Sequence, residues 1–439
     1  MNRFVYNLTI TLLSPVLLGW MALRARRAGG QWQILSGERF GRYAGASPLR
    51  RPVWVHAVSL GETRAVQPFV QALLDQGETV LLTHLTATGR AEGQRLFAAG
   101  IAAGQLVQQW MPYDFARATR RFMRHYRPRA GVLMEREVWP NLIAAARAEY
   151  IPMLLVSARF SDQALRQSLR LGRVMQQAYG SFHAVYAQTL QDAQRLEQAG
   201  AVAPSVSGNF KFDVSLPARQ IREGREHAQA LGRRIIAIAS TREGEEESFV
   251  QAIQHVAQRA QAQGRPLIDD YLFLLIPRHP QRFDLAANLL EAAQLPFVRR
   301  SALIESGLGV AGMAKACENA LVLVGDTLGE MPRYYASSDV AIVGGSFERL
   351  GGQNFIEACA IGVPVIVGPH TRNFQQAVQD AIDEGAAVRV ADASQAVARA
   401  LELLEDGTVL ARMSEAGTHW VKKHTGAVQR VMTALEKLP

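Results

Sequence analysis

The chain has 439 residues, 48% of them hydrophobic and 20% charged, and it carries a formal net charge of +9 at pH 7. A chain of this length can bury a large core and predicts two domains, while the positive charge favours an anionic partner, whether nucleic acid, anionic lipid or a phosphorylated substrate. Its two cysteines, Cys317 and Cys359, exclude a disulfide framework and fit a reducing compartment.

The first predicted element is an uncharged apolar run from Phe4 to Leu23, followed directly by Arg24, Arg26 and Arg27. Twenty helical residues reach roughly 30 Å, enough to cross the core of a bilayer. The basic residues follow the run and no small-residue cleavage site does, so a cleaved signal peptide is not expected. The arginines would keep the rest of the chain on the cytoplasmic side.

Polar residues within this run leave a second arrangement open. Asn7, Thr11 and Ser14 fall on one helical face, and Pro15 interrupts the run. A helix lying in the membrane interface is therefore an alternative to one that spans. Either arrangement places the remaining chain at the inner membrane surface.

Short apolar runs then alternate with helical stretches along the chain. Each run is nearly all apolar, as expected for parallel strands covered on both faces, and the regular alternation predicts two doubly wound α/β domains. The predicted domains are a membrane anchor at 1–30, an N-terminal α/β domain at 31–215 and a C-terminal α/β domain at 216–439, whose last helix could pack back on the N-terminal domain. The predicted strands are Val53–Val58, Val80–Leu85, Gly131–Met134, Met153–Ser157, Ala184–Gln188, Ile235–Ser240, Leu272–Pro277, Ala320–Gly325, Val340–Gly344 and Val363–Gly368.

Three polar motifs follow strand ends in the first half, where ligands of such sheets bind. Glu62 stands where a glycine turn meets a new helix; it could act as a general base toward an alcohol, or only complement the helix dipole. Glu135 and Glu137 flank Arg136 after the third predicted strand, as a functional pair or a structural ion pair. Lys211 stands between two aromatic residues near the predicted domain boundary, where it could face a cleft.

Four strand ends of the second half carry similar motifs and are expected to converge on one rim. STREGEE (240–246) could bind a phosphate or carboxylate, or form a plain helix cap, and Arg278 in PRHP can pair with a phosphate. GDTLGEM (325–331) adds a glycine turn with a carboxylate. In GGSFERLGGQNFIEA (344–358), glycines let backbone approach a ligand, and Glu357 could accept hydrogen bonds from ribose hydroxyls. The pattern outlines a nucleotide-sugar site, and the alternative is an ordinary βαβ unit.

The sequence lacks the motifs that are typical of several other classes of enzyme. The chain contains no G-x-x-x-x-G-K-[ST] loop and no D-x-D pair. A metal-independent reaction is the economical inference. The basic run from Arg117 to Arg129 predicts a solvated helical face or a contact with lipid headgroups.

Taken together, these motifs resemble the 3-deoxy-D-manno-octulosonate (Kdo) transferases of lipopolysaccharide synthesis, in one order over nearly the whole chain. The further motifs that carry the resemblance are GERFGRY (37–43), MPYD (111–114), SARFS (157–161) and GPHTRNF (368–374). The resemblance implies an α/β protein of the GT-B fold, with two doubly wound Rossmann-like domains facing a central cleft and an N-terminal membrane-associated helix. It implies inverting transfer of Kdo from CMP-Kdo to the 6′-hydroxyl of a tetra-acylated lipid A precursor, at the cytoplasmic face of the inner membrane, with no cofactor.

Site residues follow from the matching motif positions. Glu62 resembles the family's proton acceptor, Glu135 and Lys211 resemble residues that stabilise the transition state, and Glu137 is a second acidic candidate. The positions that match the CMP site are Pro277, Arg278, Gly329, Glu330, Met331, Asn354, Phe355, Ile356 and Glu357. The family often has His at the positions of Gln353 and Arg242 and Thr at that of Arg136, departures that affect donor contacts and the charge around Glu135.

The sequence leaves two alternative functions open. A GT-B transferase or epimerase with a uridine donor would prefer UMP to CMP. A non-catalytic basic protein that binds nucleic acid at the membrane surface would show steeply salt-dependent binding and no role for Glu62. The resemblance favours CMP-Kdo, the lipid A precursor and the inner membrane surface as partners, and no nucleic acid.

Overall fold

A seven-stranded sheet forms the centre of each of the two units into which the chain divides. The computed structural model describes residues 1–28, 32–214, 216–307 and 310–438. Unit 1 comprises Met1–Asp213 and His424–Pro439, and unit 2 comprises Val214–Lys423. The boundaries predicted at residues 30/31 and 215/216 touch residues outside the described ranges.

The sheet of unit 1 has the strand order β3-β2-β1-β4-β5-β6-β7, with parallel neighbours throughout. The strands are Val53–His56 (β1), Val80–His84 (β2), Leu106–Trp110 (β3), Ala130–Met134 (β4), Met153–Ala158 (β5), Ala184–Ala187 (β6) and Ser205–Val206 (β7). Strand order runs in opposite directions from β1 and β4, so the gap beyond their carboxyl ends is the switch point at which such sheets bind ligands.

The described residues of unit 1 form eleven α-helices, ten in the first segment and one in the C-terminal segment. They are Arg3–Ala28 (α1), Leu60–Ala65 (α2), Gln67–Asp75 (α3), Ala87–Leu96 (α4), Ala98–Ala102 (α5), Ala116–Tyr126 (α6), Pro140–Ala148 (α7), Asp162–Leu171 (α8), Arg173–Tyr179 (α9), Leu190–Gln198 (α10) and Ala427–Glu436 (α22). Buried Val431 and Leu435 of α22 join the same apolar cluster as Val70 and Leu73 of α3. The C-terminal segment thus completes the core of unit 1.

Unit 2 repeats this architecture with the strand order β10-β11-β9-β8-β12-β13-β14, also parallel. The strands are Arg234–Thr241 (β8), Tyr271–Pro277 (β9), Phe297–Arg299 (β10), Val322–Val324 (β11), Val340–Val343 (β12), Val365–Val367 (β13) and Ala387–Arg389 (β14). Its switch point lies between β8 and β12. The predicted fold class, two doubly wound α/β domains, is confirmed.

Helices cover both faces of the second sheet. They are Ala218–Leu231 (α11), Glu245–Ala262 (α12), Leu267–Asp270 (α13), Phe283–Ala292 (α14), Arg300–Glu305 (α15), Val310–Ala316 (α16), Met331–Ser337 (α17), Ile356–Ile361 (α18), Gln375–Asp383 (α19), Ala393–Glu405 (α20) and Gly407–His424 (α21). Three short 3-10 helices complete the described structure, at Gly37–Phe40, Phe210–Phe212 and Pro280–Arg282.

Helix α1 contains the predicted apolar run. Its segment Arg3–Leu23 has a mean hydropathy of 1.5 and is long enough to cross a membrane, and none of it is buried in the protein. Pro15, predicted to interrupt the run, lies inside a continuous helix. The Ser14 hydroxyl donates to the Thr11 carbonyl at 2.8 Å, replacing the N–H that proline lacks. The side chains of Arg24 and Arg27 lie outside the described part.

Candidate active site

Unit 1 gathers acidic side chains and one lysine at the carboxyl edge of its sheet. Glu62 lies in the first turn of α2, which follows β1, and Glu135 directly follows β4. Lys211 lies on the 3-10 turn Phe210–Phe212, which follows β7. Because β1 and β4 are neighbours at the switch point, their two glutamates come to the same edge.

Glu62 takes part in the cap of helix α2. Its carboxylate accepts hydrogen bonds from the Val58 N–H at 2.7 Å and from the Ser59 hydroxyl at 3.3 Å. The Glu62 N–H donates to Ser59 Oγ at 3.4 Å, an arrangement close to a capping box. Glu62 therefore does stabilise the start of helix α2, as the alternative to a catalytic role expects. The same hydrogen bonds also fix the direction of its carboxylate.

The protonation of Glu62 is strongly perturbed. Burial, followed by the neighbouring charge of Glu135, raises the pKa of Glu62 to about 8, although the Val58 N–H acts in the opposite direction. A carboxylate with a pKa near the working pH is a stronger base than an ordinary glutamate. The environment therefore suits a proton acceptor.

Lys211 and Glu135 form an ion pair. Lys211 Nζ lies 3.5 Å from Glu135 Oε1, and the two side chains are 27% and 26% exposed. Phe210 and Phe212 are buried on either side of Lys211, and the Asn209 side chain accepts the Lys211 N–H at 3.0 Å. The aromatic residues predicted to flank the lysine thus anchor its turn in the core.

Glu135 also has a strained backbone. Its φ of 52° lies in the left-handed region, which residues other than glycine adopt at a free-energy cost of order 1–3 kcal/mol. Such strain persists only where surrounding contacts hold it, and it concentrates at functional sites. The observation supports a functional role for this position.

Glu137 lies near a buried histidine. Its Oε2 accepts a hydrogen bond from Trp139 Nε1 at 3.0 Å and is 4.0 Å from His56 Nε2. Nδ1 of His56 lies 3.1 Å from the Thr83 carbonyl oxygen and 2.9 Å from the Thr83 hydroxyl oxygen. Burial lowers the pKa of His56 to about 3 and raises the pKa of Glu137 to about 7.

The glycine-rich loop of unit 2 is organised by an internal carboxylate. Glu245, fully buried at the start of α12, accepts hydrogen bonds from the N–H groups of Arg242, Gly345 and Phe347 at 2.8, 2.6 and 2.9 Å. The Thr241 hydroxyl donates to buried Glu246 at 3.0 Å. The Thr241 hydroxyl and the Arg242 N–H thus have partners within the protein, as the helix-cap alternative for this motif expects. The binding of a phosphate or carboxylate by this motif stays a prediction.

A close backbone approach explains one of the glycines. A Cβ atom on Gly344 would lie 2.8 Å from the Thr241 Cα, so packing of neighbouring strand ends requires glycine there. Gly351 and Gly352 have φ of 94° and 82° and form the turn that leads to α18. The ligand-facing role of both glycine pairs stays a prediction.

The predicted donor positions Pro277, Arg278 and Gly329–Met331 follow β9 and β11. The Arg278 N–H donates to the Thr241 carbonyl at 2.9 Å, and the Arg278 side chain is half-buried at the sheet edge. The Glu330 carboxylate accepts bonds from Arg300 at 2.8 and 3.0 Å. Although burial opposes it, hydrogen bonding from Arg300 lowers the pKa of Glu330. With that side chain engaged, a ligand at this turn would meet its backbone.

The four residues from Asn354 to Glu357, which were predicted to bind the sugar donor, differ in how deeply their side chains are buried. Asn354 Nδ2 donates to Glu357 Oε1 at 2.9 Å, and Asn354 Oδ1 accepts the Ile356 N–H at 3.1 Å. The side chains of Phe355 and Ile356 are fully buried, and Phe355 stacks on Trp420 with ring centroids 5.6 Å apart. Phe355 and Ile356 can therefore offer a ligand only their backbone.

Comparison with known proteins gives consistent matches. Residues 36–214 match the family model described as 3-deoxy-D-manno-octulosonic-acid transferase (kdotransferase), and residues 313–420 match glycosyl transferases group 1. The chain is 58% identical over 439 residues to 3-deoxy-D-manno-octulosonic acid transferase of Bordetella pertussis, covering 99% of each chain. It is 29% identical over 444 residues to the enzyme of the same name from Haemophilus influenzae, covering 99% of this chain and 98% of the other.

A solved structure supports the fold. The crystal structure of a glycosyltransferase from Rickettsia africae ESF-5 aligns with a TM-score of 0.52 at 14% identity, covering 89% of this chain and 99% of that chain. At this identity the likeness concerns the fold alone.

Proposed function

The chain belongs to the 3-deoxy-D-manno-octulosonic acid (Kdo) transferase family of glycosyltransferases in lipopolysaccharide synthesis, and we propose that it transfers Kdo from CMP-Kdo to the 6′-hydroxyl of a tetra-acylated lipid A precursor. The proposed reaction inverts the anomeric carbon and needs no metal ion. We place it at the cytoplasmic face of the inner membrane. The net charge of +9 and the apolar helix α1 support a site at an anionic membrane surface.

Glu62 is proposed as the proton acceptor, and the observation that carries the proposal is its carboxylate, held at the sheet edge by the Val58 N–H and the Ser59 hydroxyl. The raised pKa of Glu62 supports this role. The acceptor hydroxyl gives its proton to the Glu62 carboxylate while its oxygen forms a bond to the anomeric carbon. The bond from that carbon to the phosphate oxygen breaks, and CMP leaves with the electron pair. Attack from the face opposite CMP gives inversion, as in glycosidases whose base activates the nucleophile.

Glu135 and Lys211 are proposed to stabilise the transition state. Loss of CMP builds positive charge on the sugar ring, next to the Kdo carboxylate. The Lys211 ammonium, held 3.5 Å from Glu135, can offset the sugar carboxylate, while Glu135 offsets the ring charge. The buried aromatic residues on either side of Lys211 fix its turn before the reaction, so little reorganisation of the lysine is required.

The donor is proposed to bind at the carboxyl edge of unit 2. Arg278 would pair with the phosphate, and the Asn354–Glu357 pair would bind ribose hydroxyls. Backbone groups of Pro277, Gly329–Met331 and Phe355–Ile356 would supply the remaining contacts. The half-buried position of Arg278 at a strand end supports this assignment.

A product assay tests the proposal. The purified chain is incubated with CMP-Kdo and the tetra-acylated precursor, and the lipid is analysed by mass spectrometry. We expect product heavier by one or more Kdo units, and tighter binding of CMP than of UMP in a parallel titration. Absence of any Kdo adduct, or a preference for UMP, would overturn the proposed donor and acceptor.

A further inference from the structure

The first two turns of helix α1 are attached to unit 1. The Tyr6 hydroxyl donates to Asp114 Oδ2 at 2.8 Å, and Asn141 Nδ2 donates to Asn7 Oδ1 at 2.6 Å. Asp114 is buried and also accepts two backbone N–H groups at the start of α7, so its position is fixed by the core of unit 1. The Met1 carbonyl accepts the Val174 N–H at 3.1 Å. The N-terminus is therefore held by the folded unit.

The other end of α1 returns to the same unit. Ala28, its last residue, is four residues before Trp32, which limits the separation of their Cα atoms to about 14 Å. The Trp32 carbonyl accepts a hydrogen bond from the Arg39 guanidinium at 2.9 Å, and the fully buried Arg39 lies 4.2 Å from the Trp110 ring. Both ends of the helix are thus tied to unit 1.

The exposure of α1 along its length shows two faces. The less exposed residues recur every three or four positions and form one stripe: Asn7, Ile10, Ser14, Leu18, Met21 and Ala25. The opposite stripe consists of exposed apolar residues: Phe4, Leu8, Leu12, Val16, Trp20 and Leu23. Leu12 and Val16, at its centre, are 68% and 71% exposed. This second stripe of exposed apolar side chains is here named the outer face.

Arginines accompany the apolar surface. Leu169 and Leu171 are exposed beside Gly172, whose backbone adjoins Met1, and Arg170 and Arg173 are exposed next to them. Helix α6 begins two residues after Asp114, and its Arg117, Arg120 and Arg121 are exposed. Exposed apolar side chains and exposed arginines on the same unit match the acyl boundary and the anionic headgroups of one leaflet.

We propose that α1 is a monotopic anchor, which lies in the interface of the leaflet facing the folded units and does not span the bilayer. A spanning helix would place Met1 on the far side of the hydrocarbon core, which is roughly 30 Å thick, from the folded units. That position would break the Tyr6–Asp114 and Asn7–Asn141 bonds and leave the buried Asp114 carboxylate without its Tyr6 partner. This proposal concerns attachment to the membrane and stands independently of the reaction.

Cysteine labelling tests on which side the N-terminus lies. Arg3→Cys reports the helix start, and Gln167→Cys, exposed on α8, reports unit 1, while the native Cys317 and Cys359 are buried. Full-length variants in right-side-out and inverted inner-membrane vesicles are treated with a membrane-impermeant maleimide. We expect both cysteines to react only in inverted vesicles. Reaction of Arg3→Cys only in right-side-out vesicles, or only after detergent, would overturn the proposal.

Vesicle binding tests the outer face. The double variant Leu12→Gln/Val16→Gln is compared with Leu285→Gln/Ile304→Gln, which changes two exposed apolar residues of unit 2. With vesicles of phosphatidylethanolamine and phosphatidylglycerol, we expect at least a tenfold loss of partitioning for the first variant and less than twofold for the control. Unchanged partitioning accompanied by loss of a dimer would assign the outer face to a second copy of the chain and overturn the proposal.

Discussion

Replacement of Glu62 by Gln separates its two roles, as proton acceptor and as helix cap. The Gln side chain keeps an oxygen to accept the Val58 N–H, so the cap of α2 is expected to survive. The variant loses the ability to take a proton from an alcohol. We therefore expect kcat to fall at least a hundredfold, the usual scale for a general base.

The same substitution is expected to stabilise the fold at high pH. The environment raises the pKa of Glu62 from 4.5 to about 8, so the folded state binds the proton more tightly than the unfolded state does. Its stabilising contribution is complete below pH 4.5 and is lost as the pH rises through 8. The full difference is worth at most about 4–5 kcal/mol, and contact of the partly exposed carboxylate with solvent reduces it to about 1–3 kcal/mol.

Urea unfolding at pH 5 and pH 9, together with activity assays from pH 6 to 9, tests both effects. We expect Glu62→Gln to match the parent at pH 5 and to exceed its stability at pH 9. The kcat/KM of the parent should rise about tenfold from pH 7 to 9 as Glu62 ionises. The control Glu149→Gln changes a surface carboxylate paired with Arg124 and should alter neither measurement. A variant that is destabilised at both pH values and remains active would show that Glu62 is only a cap.

Three further substitutions address the other candidate positions. Lys211→Met is expected to lower kcat at least tenfold with little change in KM, and Lys211→Arg to restore part of it; equal kcat in all three proteins would refute a transition-state role. Arg278→Met is expected to weaken CMP binding at least tenfold in calorimetry, because a charge-assisted hydrogen bond contributes about 1.5–3 kcal/mol, whereas an unchanged Kd would remove Arg278 from the phosphate site. Phe355→Leu is expected to lower the melting temperature through lost packing on Trp420 while leaving the Kd for CMP unchanged; a weaker Kd at full stability would contradict the buried position of its side chain.

The strands that sequence reasoning identified and those it missed differ in one physical respect. All ten predicted strands occur in the two sheets, whereas β3, β7, β10 and β14 were not predicted. These four are the outermost strands of the sheets. An outer strand is covered less completely, so it need not be a continuous apolar run; β3, for example, contains Gln108 and Gln109.

The candidate site was predictable as a set of motifs but not as a set of contacts. Glu62, Glu135 and Lys211 follow strand ends, and the parallel topology alone brings such positions to one edge. The approach of His56 to Glu137 depends on the pairing of β1 with β4, which residue spacing does not reveal. Likewise, no local pattern distinguishes Glu245, which binds the protein's own loop, from a carboxylate that would face a ligand.

The electrostatics of the two units favour different substrates. In unit 1, burial and mutual repulsion raise the pKa values of Glu62 to about 8 and Glu137 to about 7, so near neutral pH these carboxylates are partly protonated. The ionised form of such a group accepts a proton and repels an anion, which suits a neutral hydroxyl as the substrate. In unit 2, Arg278 is among the side chains at the sheet edge that could bind an anionic ligand. Glu245 and Glu246, by contrast, accept hydrogen bonds from groups within the protein. Burial, together with the neighbouring carboxylates, therefore raises the proton affinity of the groups that the proposed reaction uses. Replacement of Glu62 by a neutral side chain should increase stability and reduce turnover together.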